Sequence, residues 1–306
     1  MRTNLFSSWP NAILTIAAAF VIFATIPPLI EWAFIKADWV GDSRDACTSG
    51  GACWVFVGVR FNQFMYGLYP EAEYWRINLA AVLIVALMIP LFIKRFPWKL
   101  GLGLFILVGY PIIVFFLFSG GIFGLEYVET SRWGGLTLTL VLASVGMAAS
   151  FPLGILLALG RRSTMPIVKS VSVVFIEFWR GVPLITVLFM SSVMLPLFLP
   201  EGTHFDKLLR AMIGIALFQS AYMAEVVRGG LQAIPKGQYE AAQALGLSFW
   251  KSMGLIILPQ ALKLVIPGIV NTFIALFKDT TLVLIIGLFD MLAMIEAALA
   301  DPNWLG

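Results

Sequence analysis

The 306-residue chain is 60% hydrophobic and only 12% charged, with a formal net charge of +3 and a mean hydropathy of +0.94. Soluble domains carry about a quarter charged residues, so this composition excludes a soluble globular protein and indicates an integral membrane protein. The small net charge gives no indication of nucleic-acid binding.

Long apolar runs predict membrane-spanning helices, because a helix satisfies its own backbone hydrogen bonds in lipid. The alternating strands of a membrane barrel are not found, so the predicted fold class is an all-α multi-span helical bundle. The first run passes through Pro27 and Pro28 without a small-residue cleavage site, and we expect it to remain as a membrane anchor. Seven runs are long enough to span, near residues 11–35, 77–93, 100–123, 135–159, 184–200, 209–226 and 262–277.

Basic residues predict a cytoplasmic N-terminus. This orientation places the cleaner positive clusters in short cytoplasmic loops, as the positive-inside rule requires, whereas acids dilute the basic residues outside. The cytoplasmic clusters are Lys94, Arg95 and Lys99, then Arg161, Arg162 and Lys169, then Arg228, Lys236 and Lys251.

Two cysteines, Cys47 and Cys53, lie in the first long loop, which this topology places outside. A disulfide fits an oxidising compartment, and two free thiols are the alternative. No metal site is expected, because the only histidine, His204, lies in another loop.

The chain divides near residue 130. Residues 1–130 form a three-span extension with a polar outside loop, and residues 131–306 form a core with many polar intrusions. In the fourth run Gly146, Ser150 and Gly154 recur every four residues, which predicts a small-residue helix face for close packing.

Polar side chains within the apolar core are functional candidates, because they are costly in lipid. Glu225 either faces a substrate path, where it would meet an ammonium group, or pairs with Arg228 three residues on. Ser220 and Tyr222 are further path candidates on the same helix.

Two more charged pairs lie at predicted membrane boundaries. We expect Glu177 and Arg180 to neutralise each other as a structural pair. Lys278 and Asp279 either end the seventh run or line the path and recognise a zwitterion.

The segment 235–259, here called the knuckle, contains two short amphipathic helices. Pro235 starts the first, which places Tyr239, Ala242 and Leu245 on one face, and Gly246 ends it. Ser248 is an N-cap for the second, in which Phe249, Met253 and Ile256 or Ile257 line one side and Pro259 interrupts any continuation. The knuckle either projects into a groove of another protein or lies on lipid headgroups.

Nucleotide and catalytic motifs are missing from the sequence. It has no Walker A pattern, no dinucleotide fingerprint and no His/Cys metal spacing. Convergent acid, base and nucleophile groups are also lacking, so we expect neither an enzyme nor a nucleotide-binding subunit.

The knuckle resembles the EAA loop of bacterial ABC-transporter permease subunits. The resemblance is carried by Glu240, Ala241 and Ala242, by Gly246 four positions later, and by Leu258 with Pro259. The surrounding "SAYMAEVVRGGLQAIPKGQYEAAQALGL" and the earlier "FWRGVPL" are similar to the polar amino acid permease family, over about residues 130 to 300. The N-terminal extension resembles the long permeases of general L-amino acid systems.

The resemblance implies a type I importer in the bacterial inner membrane. Two permease subunits, like or unlike, would form the path, and the resemblance of the N-terminal extension favours an unlike partner. A cytoplasmic ATPase dimer would carry ATP and Mg, and a periplasmic binding protein would deliver an amino acid. Residues of the cytoplasmic loop, about 228–260, would dock on the ATPase: Glu240, Ala241, Ala242, Gly246, Leu258 and Pro259. The competing hypothesis is an ion-coupled secondary transporter in which Glu225 carries a proton.

One departure from the family concerns the end of the sequence. The family's core closes with a further span, whereas the segment with Asp290 and Glu296 is typical of a short amphipathic helix on the outer side. We expect a truncation, the alternative being that residues up to 300 supply the closing span.

Overall fold

The computed structural model describes residues 5–122, 124–198, 200 and 205–304. Their regular structure is helical, interrupted by three isolated β-bridges, which confirms the predicted all-α class. The α-helices are α1 (Trp9–Ile30), α2 (Trp54–Tyr66), α3 (Tyr74–Phe92), α4 (Lys99–Leu104), α5 (Tyr110–Ser119), α6 (Gly135–Arg161), α7 (Pro166–Gly181), α8 (Leu184–Phe189), α9 (Lys207–Ala233), α10 (Lys236–Ala244), α11 (Phe249–Ser252), α12 (Leu258–Leu264), α13 (Ile266–Asp279) and α14 (Met291–Leu299). Wide π-helical turns extend or join them at Glu31–Ile35, Phe105–Gly109, Met190–Met194 and Met253–Ile257.

The predicted spans agree broadly with these helices. In the described part of the chain, the helices long and apolar enough to cross a membrane are Trp9–Ile35, Glu71–Phe92, Lys99–Ser119, Gly135–Arg161 and Ile266–Ile286. The run 184–200 belongs to a pair, Pro166–Gly181 and Leu184–Phe198, that bends by 101° and makes a sixth span if it is one broken span. The run 209–226 lies inside the 27-residue helix α9.

The chain forms two compact units, Met1–Asn62 with Glu296–Gly306, and Gln63–Ile295. The predicted division near residue 130, between a three-span extension and a core, stays a prediction. In the first unit, Cys47 and Cys53 form a disulfide with their Cα atoms 5.5 Å apart. Next to it, Asp38 accepts hydrogen bonds from the Ser49 hydroxyl (2.7 Å) and amide (3.1 Å), which lower the pKa of its carboxyl.

Helix α9 is the centre of the second unit. It packs against α6, α7, α8, α12 and α13. Sixteen of its residues are buried, among them Arg210, Gln219 and Ser220. The other helices therefore enclose the most polar long helix of the unit.

The small-residue face of α6 packs directly on α9. Gly146, Ser150 and Gly154 are all buried, as predicted. A Cβ atom at Gly154 would lie 2.7 Å from the Cβ and Cγ of Met223, so only glycine permits this approach. Close helix packing explains the whole pattern.

The prediction that Pro259 interrupts the second knuckle helix is wrong. The chain continues through the π-helical turn Met253–Ile257 into α12, where Pro259 occupies the first turn. A proline in a helix conflicts with the carbonyl four residues earlier, and the wide turn before Pro259, in which the Leu258 amide bonds five residues back to Met253, relieves that conflict. The knuckle is thus joined to α12 by continuous helical backbone.

The last described segment includes a short helix, as predicted. A 3₁₀ segment, Thr280–Ile286, follows α13 and ends at Gly287, whose φ of 72° lies in the left-handed region. Buried Asp290 then accepts a hydrogen bond from the Ala293 amide at 3.1 Å at the start of α14.

Adjacent glycines in α9 provide a test of helix packing. At Gly230 a Cβ would lie 2.6 Å from the Ala261 carbonyl oxygen in α12, whereas at Gly229 it would meet nothing within 4 Å. We expect Gly230→Ala to destabilise the fold by about 1–3 kcal/mol through overpacking. Gly229→Ala should be neutral or stabilise by about 0.5–1 kcal/mol, because alanine favours a helix. Thermal unfolding in detergent compares the two, and equal melting temperatures would contradict this packing.

Candidate functional site

The knuckle forms an ordered turn between two helices. Pro235 precedes α10, and the helix ends where Gly246 adopts a φ of 68°. The Leu247 amide donates to the Ala242 carbonyl (3.2 Å) and the Gly246 amide to the Gln243 carbonyl (2.9 Å). Glycine is favoured here because a Cβ is strained at positive φ. The predicted end of the first helix is confirmed.

The predicted coupling residues divide between an outer and an inner face. Glu240, Ala241, Gly246 and Pro259 are exposed, whereas Ala242 is fully buried. Leu258 is partly buried and packs on a cluster of buried residues. The knuckle therefore has one face packed against the rest of the fold and one face open to solvent.

An exposed apolar patch at the knuckle was not foreseen. Leu245, Phe249 and Trp250 are 73%, 54% and 68% exposed, and the two aromatic rings contact each other edge to face. We expected Leu245 on the same face as Ala242, but the helix ends before Leu245, which is exposed whereas Ala242 is buried. Phe249 likewise does not share the buried side of Met253. The sequence signal for this patch was Trp250, a large aromatic residue next to Lys251.

A charged cluster joins α6, α7 and α9 near their predicted cytoplasmic ends. Arg161 donates to Glu177 and to Glu225, both at 2.8 Å. Arg228 donates to the second oxygen of Glu225 through Nε at 2.9 Å and Nη2 at 2.8 Å. The Glu225–Arg228 pairing that we kept as one alternative is therefore present, and Arg161 is an additional partner that spacing did not reveal.

The expected structural pair of Glu177 and Arg180 is not formed. Glu177 pairs with Arg161 instead, while the Arg180 guanidinium lies 3.9 Å from Glu225 and 5.7 Å from the ring centre of Tyr222. Local spacing suggested a pair three residues apart, but the neighbouring helices supply closer partners.

A cavity of about 350 Å³, with several polar side chains in its lining, lies between α9 and α13. Tyr222 lines it, as does half-buried Asp279, so the structure brings together two residues predicted separately. Ser220 is fully buried and donates to the Leu217 carbonyl at 2.7 Å, and neither it nor Glu225 lines this cavity. The lining residues are Phe218, Gln219, Tyr222, Asn271, Thr272, Ala275 and Asp279.

Two amides of this cavity were missed in the sequence. Gln219 donates to the Thr272 carbonyl at 2.8 Å, and Asn271 is exposed beside it. With Asp279 they offer one negative charge and several hydrogen-bonding groups, a set that suits a small polar molecule bearing an ammonium group.

No group of three or more His, Cys, Asp or Glu side chains within the described ranges is placed to hold a metal ion. His204 lies outside the described residues.

Comparisons with known proteins agree on one family. Residues 150–304 match the family model described as a binding-protein-dependent transport system inner membrane component. The chain is 63% identical over 309 residues to the inner membrane amino-acid ABC transporter permease protein YhdY of Escherichia coli (strain K12), covering 100% of this chain and 83% of the relative. It is 39% identical to the glutamate/glutamine/aspartate/asparagine transport system permease protein BztC of Rhodobacter capsulatus, covering 100% and 86%.

A solved crystal structure of an amino acid ABC transporter with histidines is also similar. It is 32% identical, with 54% of this chain and 76% of that chain covered and a TM-score of 0.49.

Glu225 accepts more charged hydrogen bonds than Glu177, which predicts unequal effects of the same substitution. Glu225→Gln should destabilise the protein by about 1.5–3 kcal/mol, because three guanidinium groups lose a shared, largely buried carboxylate. Glu177→Gln is the control: its side chain is 54% exposed, so we expect about 0–1 kcal/mol. Thermal unfolding in detergent measures the stability of both variants. A Glu225→Gln protein with an unchanged melting temperature would rule out a structural role for the cluster.

Proposed function

The chain belongs to the family of binding-protein-dependent transport system inner membrane components, and from this premise we propose how it moves its substrate and receives its driving force. It is the transmembrane permease subunit of an ABC importer for amino acids, a translocation subunit and not an enzyme. The family couples transport to ATP rather than to an ion gradient, so the ion-coupled alternative is dropped.

The knuckle docks on a separate cytoplasmic ATPase. Its outer face combines the charge of Glu240 with the exposed patch of Leu245, Phe249 and Trp250, a composition that suits insertion into a groove of another protein. Continuous helical backbone then leads into α12. The ATPase is a dimer that holds ATP and Mg, and its closure displaces the knuckle as a rigid body.

The cavity between α9 and α13 is part of the amino-acid path. Asp279 attracts the substrate ammonium group, and the amides of Gln219 and Asn271 with Tyr222 supply hydrogen bonds. Glu225 has a structural role beside this path, because both of its carboxylate oxygens accept hydrogen bonds from Arg161 and Arg228.

The remaining subunits follow from the same proposal. A second permease, of unlike sequence, completes the path in the bacterial inner membrane, and a periplasmic binding protein delivers the amino acid. Residues 131–306 form the permease core, and residues 1–130 are an extension that anchors it in membrane lipid.

Charge reversal at the knuckle tests ATPase docking. Glu240→Lys should abolish both ATPase association in a pull-down and ATP-dependent uptake into vesicles that hold the full complex, because it reverses a charge on the docking face. Glu129→Lys makes the same change at an exposed residue on the predicted outer side and should leave ATPase association intact. Association that survives Glu240→Lys would argue against this docking face.

Removal of one charge tests the path. Asp279→Asn should raise the KM for amino-acid uptake about tenfold, the usual effect of losing one hydrogen bond to a charged group. ATPase association should persist, since the cavity lies apart from the knuckle. Glu177→Gln, a carboxyl-to-amide change away from the cavity, is the control for uptake. An unchanged KM in Asp279→Asn would exclude this carboxylate from the path.

A further inference from the structure

Three residues from separate helical segments meet where α9 ends. Arg162, directly after α6, donates through Nη1 to the Leu231 carbonyl of α9 at 2.8 Å and to the Tyr239 hydroxyl of α10 at 3.0 Å. Tyr239 itself donates to the same carbonyl at 3.0 Å. The Arg162 guanidinium also lies 5.5 Å from the centre of the Tyr239 ring.

The sequence explains why the Leu231 carbonyl is available. In a continuing α-helix it would accept the N–H of the residue four positions later. That residue is Pro235, which has no N–H. Leu231 is 1% exposed, so water is a poor substitute, and a buried carbonyl without a partner is costly. Arg162 and Tyr239 provide the two donors.

This arrangement connects the knuckle to two long helices at one point. Tyr239 lies in α10, one residue before Glu240 of the docking face. Leu231 belongs to α9, which carries Gln219 and Tyr222 of the proposed path, and Arg162 follows α6. A displacement of α10 therefore pulls on α9 and α6 together. A second contact, Gln260 to Gln238 at 3.1 Å, is exposed and links α10 only to α12.

We propose that Arg162 and Tyr239 form a coupling joint, in which their shared bonds to the Leu231 carbonyl transmit movement of the knuckle to α9, which lines the proposed substrate path, and to α6, which packs on α9. The proposal rests on the proposed function. Both are positioning residues: they contact neither substrate nor nucleotide, and their effect falls on how much transport accompanies each ATP hydrolysed.

The test uses the full complex in proteoliposomes and measures amino-acid uptake, ATP hydrolysis and ATPase association together. Tyr239→Phe removes only the hydroxyl. We expect the ratio of amino acid transported to ATP hydrolysed to fall about tenfold, as for the loss of an important hydrogen bond, with ATPase association retained. Tyr127→Phe, the same substitution at an exposed tyrosine on the predicted outer side, should leave the ratio unchanged.

A double-mutant comparison tests whether Arg162 and Tyr239 act together or each bond to the Leu231 carbonyl independently. Arg162→Ala alone and Arg162→Ala with Tyr239→Phe should lower the ratio by similar factors, because either change breaks the same connection. Arg162→Lys keeps a donor and a charge and should restore part of the ratio. If Tyr239→Phe transports as much amino acid per ATP hydrolysed as the wild-type complex, the proposal is overturned, whatever the stability of the Arg162 variants.

Two other outcomes have distinct meanings. If Tyr239→Phe loses ATPase association, the residue belongs to the docking face and the joint is refuted, while the importer function stands. If the wild-type complex shows no ATP-dependent uptake of amino acids, the proposed function itself is refuted.

Discussion

Helix α9 is too polar to face lipid, and its enclosure by other helices is the constraint on which the rest of the second unit depends. Its polar groups find partners from several directions: Arg210 donates to the Ser192 carbonyl, Gln219 to the Thr272 carbonyl, and Glu225 accepts from Arg161. Each partner comes from a different segment, because a buried polar group must be satisfied by whatever packs against it. The small residues of α6 permit this enclosure by letting one helix approach closely.

Local sequence patterns predicted much of the fold. Apolar runs located the long helices, the four-residue spacing of Gly146, Ser150 and Gly154 located a packed face, and Gly246 marked a helix end. These features depend on residues that are close in sequence, so they can be predicted from one sequence alone. The EAA pattern likewise identified the knuckle, because its residues are contiguous or nearly so.

Features that depend on distant segments were harder to predict. Spacing suggested Glu177 with Arg180, but tertiary packing pairs Glu177 with Arg161, sixteen residues away. Ser220 and Tyr222 are two residues apart, yet only Tyr222 reaches the cavity between α9 and α13, since the helix turns by about 200° between them. We predicted that Pro259 breaks the helix. The sequence gives no clear sign of the wide turn that precedes Pro259 and places it in the first turn of α12.

The wide turn Met253–Ile257 has a consequence for how this segment tolerates change. It holds one residue more than an α-helical turn, and each residue rotates a helix by about 100°. The wide turn absorbs its extra residue locally, so loss of one residue would relax it to α-helix and leave α12 in phase with the helix before it. One further residue would instead rotate α12 by about 100° and carry Ala261 away from Gly230, where even a methyl group is too large. The segment is free to vary in residue type on its exposed side, and it tolerates shortening by one residue better than lengthening.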